Sequence, residues 1–124
     1  MLLIRNTEIA KIDIHCYKIL IIKDDILCSP YKQYNKWTIN ELTEDKRPIT
    51  KNKKRAGYKV ITKGFFHAYT NLSRAKHALE RYIKKNKKYK AFIYKAIIPA
   101  GYRYYSDECG QYCTKFLKIT EECV

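Results

Sequence analysis

Between positions 46 and 95 the chain almost lacks acidic residues: Glu80 is the single carboxylate against seventeen lysines and arginines. That 50-residue window carries a net charge of +16, while the rest, with nine basic and eleven acidic residues, sits at −2. Glycine is scarce as well. The four glycines are scattered, which excludes a glycine-rich phosphate loop. No apolar run, positions 19–22 included, exceeds four residues, far below the roughly 20 that a spanning helix needs. Arg5 interrupts the apolar start before a signal-peptide core can form. Cysteines are odd in number, five, and irregularly spaced, which fits reduced thiols better than a secreted disulfide framework. A cytoplasmic protein with no membrane contact is the expectation.

The basic window itself is the strongest signal. Concentrated positive charge on a near-neutral body implies a polyanionic partner: nucleic acid, a nucleoprotein, or an acidic membrane or protein surface. Twelve tyrosines add rings that suit both strand faces and binding surfaces. At 124 residues the chain reads as a single domain over 1–124.

Hydrophobic periodicity predicts strands at 12–22 and 26–28, joined by the turn Lys23-Asp24-Asp25. Trp37 is expected to fold back over the core, being costly to leave in water. Positions 44–55 hold eight charges, a proline and little that is apolar, and 44–56 reads as a mobile basic loop. A strand follows at 58–62. The spacing of Leu72, Ala75, Leu79 and Tyr82, with Ala78 and Ile83, predicts a helix over 72–85, capped by Thr70 or Asn71. Its lysines gather at the C-terminal end, which the macrodipole favours, and Asn86 suits a left-handed stop. Strands at 90–98, 102–105 and 112–119 complete the order. The fold class expected is α+β: one principal helix packed on a mostly antiparallel, strongly basic small sheet.

The candidate binding residues are Lys53, Lys54 and Arg55 in the loop, Arg74, Arg81, Lys84 and Lys85 on the helix, and Lys87 and Lys88 after it. Cations among Tyr82, Tyr89 and Tyr94 suit single-stranded nucleic acid, whose phosphates meet Lys/Arg while bases stack on rings. RNA is the favoured partner. Neither a metal nor a cofactor is expected: Cys109-x3-Cys113 with Cys123 offers one loose pair, and His15, His67 and His77 supply no second. Cys109 lies beside Asp107 and Glu108, whose charge opposes a thiolate. No catalytic set is singled out.

Three stretches together carry a resemblance. They are Tyr17-Lys18-Ile19-Leu20 through Ser29-Pro30-Tyr31 and Trp37; Lys63-Gly64-Phe65-Phe66-His67-Ala68-Tyr69-Thr70 with Ala75 and Ala78; and Ala96-Ile97-Ile98-Pro99-Ala100-Gly101-Tyr102-Arg103-Tyr104-Tyr105. In this order the chain resembles small phage- and prophage-encoded accessory proteins of low-GC bacteria. The resemblance implies a protein of the bacterial host's cytoplasm that binds a host machine, as inhibitors of CRISPR nucleases do. The basic stretches 46–55 and 84–90 depart from those relatives. A fainter likeness is to the ADP-ribosyltransferase fold, with His15, the Tyr69-Thr70 block and Glu108 in the order of its cleft residues; it implies an active or degenerate enzyme. A protein–protein inhibitor docking on an acidic surface is the third reading.

Overall fold

The computed structural model describes residues 2–4, 6–30, 35–48, 50–55, 58–107 and 109–123, with side chains described outside 1–6 and 49–63. Strand β3 (Ile14–Lys23) organises the molecule. It pairs along nine residues with β9 (Lys90–Ile98), from Ile14↔Ile98 to Ile22↔Lys90. Both strands are buried on both faces over their centres, which explains their near-continuous apolar sequence. Tyr17, Ile19 and Ile21 face one way; Cys16 and Leu20 face the other. A two-residue turn, Asp24 and Asp25 at φ 52° and 63°, returns the chain as β4 (Ile26–Cys28). Positive φ at both positions is the type I′ hairpin geometry, which Asp tolerates.

The remaining strands build outward from this pair. β2 (Asn6–Ile9), β8 (Phe66–Tyr69), β10 (Arg103–Ser106), β11 (Gln111–Thr114), β12 (Phe116–Glu122) and β5 (Leu42–Glu44) join them in one sheet, ordered β2-β10-β11-β8-β3-β9-β12-β5. A second sheet holds β1 (Leu2–Ile4), β7 (Tyr58–Lys63) and β6 (Thr50–Arg55), with β7 in the centre. All ladders among the described residues are antiparallel.

One helix, α1 (Leu72–Lys85), covers the sheet face of Ile19 and Ile93 with Ala75 and Ala78. The Asn71 side chain accepts from the Arg74 N–H at 2.9 Å, so Asn71 is the cap. The opposite face forms the larger core, where Leu20, Ile98, Leu117 and Ile119 are fully buried. Each such side chain contributes roughly 1.5–3 kcal/mol. Trp37 closes this core at 4% exposure, its ring tilted against Phe66 with centroids 4.5 Å apart and its ring N–H donating to Ser29 Oγ.

Three expectations are corrected. The fold is a mostly antiparallel β structure with one 14-residue helix and twelve strands among the described residues, not an α+β domain with a principal helix. Short strands carry too little periodicity to be seen one at a time; their partners define them. The loop expected over 44–56 contains β6, whose charged sequence is held by β7. Asn86 ends the helix in an extended conformation, φ −130°, not a left-handed one, and its N–H donates to Tyr82 O at 2.8 Å.

Candidate polyanion interface

The inner stripe of α1 decides which of its cations face out. Ala75, Ala78 and Tyr82 are buried. Arg74, Lys76, His77, Arg81, Lys84 and Lys85 are exposed, followed by exposed Lys87 and Lys88. Arg81, Lys84 and Lys85 are neighbours at i+3 and i+4 and lie on one face. Their mutual repulsion is offset in part by the negative end of the helix, since Lys84 and Lys85 occupy the last turn. The ion pairs among the described residues include Arg47–Asp45 and Lys95–Glu121. Arg81, Lys84, Lys85 and Lys87 pair with no described carboxylate.

Other predicted contacts are placed differently. Arg74 serves the fold: its Nη1 donates to Cys109 O at 2.6 Å. Gly110, at φ 79°, lies so close beneath that a Cβ there would strike the Arg74 side chain. Lys53, Lys54 and Arg55 lie on β6, the edge strand of the small sheet. Cations on an edge strand also discourage pairing with other chains. Of the proposed stacking rings, Tyr82 and Tyr94 are buried at 4% and 6% exposure. Tyr89 is half-buried, and the ammonium groups of Lys23 and Lys88 lie 5.9 and 5.4 Å from its ring centre.

The residues of the enzyme reading are scattered in role. His15 is exposed on β3, and Tyr69 and Thr70 are half-buried before the helix. Glu108 lies outside the described residues. Asp107 Oδ1 accepts from the N–H groups of Cys109 and Gln111, so this carboxylate builds the β10–β11 turn. Cys113 is fully buried and 3.9 Å from His67 Nε2; burial pushes its thiol up to about 12, against the opposing pull of Lys18. A thiol held protonated is a poor nucleophile. Burial likewise pushes Cys16 up to about 12. Among the described residues no group of three His, Cys, Asp or Glu side chains converges to hold a metal.

A set of cations turned into the fold was not foreseen: Lys18 is buried, and Lys115 and Arg47 are half-buried. Lys18 is 7% exposed and its Nζ donates to His67 O at 2.8 Å. Lys115 Nζ donates to the carbonyls of Asp45, Arg47 and Gly64 at 2.8, 2.6 and 2.9 Å. Arg47 clasps the buried Asp45 carboxylate, with Nε–Oδ1 at 2.8 Å. Burial raises the Asp45 carboxyl, but the hydrogen bonds and charge of Arg47, helped by Lys115, outweigh it and hold the carboxyl below its ordinary value. The signal available in the sequence was Lys18 within the apolar run 16–22.

No helix among the described residues is long and apolar enough to cross a membrane. No family model, curated protein or solved structure matches the chain.

Proposed function

We propose that the protein is a non-enzymatic binder of a polyanion, with single-stranded RNA as the favoured partner, free or within a nucleoprotein. The single observation that carries this reading is the exposed cluster Arg81, Lys84, Lys85 and Lys87, which meets no described carboxylate. Lys88 extends it, and Tyr89 offers a ring beside it. Lys53, Lys54 and Arg55 belong to the same basic window and act as secondary contacts, while Arg74 is committed to the Cys109 carbonyl. Such a surface grips the sugar-phosphate backbone without reading sequence. In a mobile-element protein, its use is to grip the RNA of a host nucleoprotein, such as the guide of a CRISPR nuclease, and obstruct guide or target handling.

Fluorescence anisotropy with a labelled single-stranded RNA tests this at several salt concentrations. Five phosphate contacts give a slope of log K on log salt of about −3.5 for a single strand. A tagged protein recovered from lysate with its partner, before and after nuclease treatment, separates RNA from protein. Binding that is absent at low salt, or a partner held equally well by a protein lacking these cations, refutes the reading.

A further inference from the structure

A cavity of about 380 Å³ opens where β8 and β4 part from the same edge of β3. β8 pairs with β3 at Tyr17 and β4 pairs with it from Ile21 to Lys23. Between these ladders Lys18 and Ile19 face a fork in the sheet, and α1 roofs it with Ala78 and Tyr82. The volume falls in the range of roughly 300–1,000 Å³ that small-molecule sites occupy.

The chemistry of the wall is specific. Phe65, Tyr69 and Tyr82 provide aromatic surface, and no described carboxylate lines the space. Lys18 and Arg47 bring two cations to it. Both are pre-positioned, Lys18 through His67 O and Arg47 through Asp45. Phe65 is fixed edge-on to Tyr105, with centroids 5.1 Å apart. The side-chain amides of Asn35 and Gln111 complete the lining, each able to donate and accept. Rings, amides and cations around one small volume match a planar heterocycle with hydrogen-bonding edges and an attached anion.

We infer that this cavity takes one nucleotide unit, its base against the tyrosine and phenylalanine rings and its phosphate toward Lys18 and Arg47. The inference goes beyond RNA binding by the outer face of α1 and does not rest on it. The unit has two sources, a free nucleoside monophosphate or one nucleotide of a bound strand.

The test uses the full chain, with amide NMR shifts to locate binding and calorimetry to measure it. The probes are AMP, UMP, the matching nucleosides, inorganic phosphate, and an eight-nucleotide RNA. Either monophosphate should shift the amides of Lys18, Tyr69 and Gln111, with the nucleoside and phosphate alone each at least about tenfold weaker, the scale of one lost charge-assisted contact. If only the RNA shifts those amides, the source is the strand. Ala78→Leu, which fills the cavity and keeps every polar group, should abolish those shifts while RNA still binds the outer surface. Gln111→Ala, expected to weaken binding about tenfold, serves if Ala78→Leu does not fold. The inference is overturned if neither monophosphate nor RNA shifts the cavity amides. It is equally overturned if nucleoside or phosphate alone binds as tightly, or if the folded variant binds unchanged. The outer surface is tested separately by RNA affinity, so either reading can fail alone.

Discussion

The molecule holds two populations of cations that differ in what they touch. Lys18, Arg47 and Lys115 are drawn into the fold, and each donates to a carbonyl or a carboxylate. Arg81, Lys84, Lys85 and Lys87 stand in water on the end of a helix whose other side is packed. Burying a charge is tolerated only when hydrogen bonds replace its hydration. The first population therefore supports the fold, so its loss lowers stability, even where Lys18 and Arg47 also face the cavity. The second contributes little to the fold, and leaving it unneutralised favours an external anion. Net charge alone conceals this division.

Substitutions that separate stability from binding sharpen the contrast. Lys115→Met should have the largest effect on the fold, because three carbonyls lose their donor; a loss of about 3 kcal/mol is expected by chemical denaturation. Asp45→Asn comes next, at about 2 kcal/mol near neutral pH. Its pH dependence follows from the sign of the shift. The folded carboxyl lies below its unfolded value, so its contribution is fully present above about pH 4 and is lost as pH falls through the folded value. Urea melts of the native chain from pH 6 down to pH 2 should show this acid loss, and the Asn variant should lack that part of it.

The exposed population should behave in the opposite way. Changing Lys84, Lys85, Lys87 and Lys88 to Glu should cost about 1 kcal/mol of stability, chiefly from the last helical turn, while RNA affinity falls on the order of a hundredfold. The edge strand offers a third case. Lys53→Thr, Lys54→Val and Arg55→Thr together should leave stability nearly unchanged, weaken RNA binding less than the helix set, and increase self-association in light scattering. If the edge set weakens RNA binding more than the helix set does, the ranking of the two basic elements is reversed.

Much of the local structure was legible in the residues. The bounds of α1 coincide with the amphipathic run, because Asn71 caps it and the alanine-rich stripe must be buried. The strand at 90–98 was equally clear, being long and β-branched. β6 was not legible: Thr-Lys-Asn-Lys-Lys-Arg has no apolar alternation, and its pairing with β7 makes it a strand. The cations turned into the fold were hidden for a related reason. Lys18 reaches a carbonyl 49 residues away and Lys115 reaches carbonyls 51 to 70 residues away. Such partners follow from topology and leave no local pattern. Of the candidate interface, the helical cations could be placed in advance, while the clamp of Arg74 on Cys109 required the hairpin to be seen.

The central claim is that the helix-end cations are held for a polyanion, and its most direct test is the salt dependence of RNA binding. The native chain should give a log–log slope near −3.5, and the variant with Lys84, Lys85, Lys87 and Lys88 changed to Glu should flatten it by about 3 units. Equal slopes and equal affinities for the two folded proteins would contradict the account.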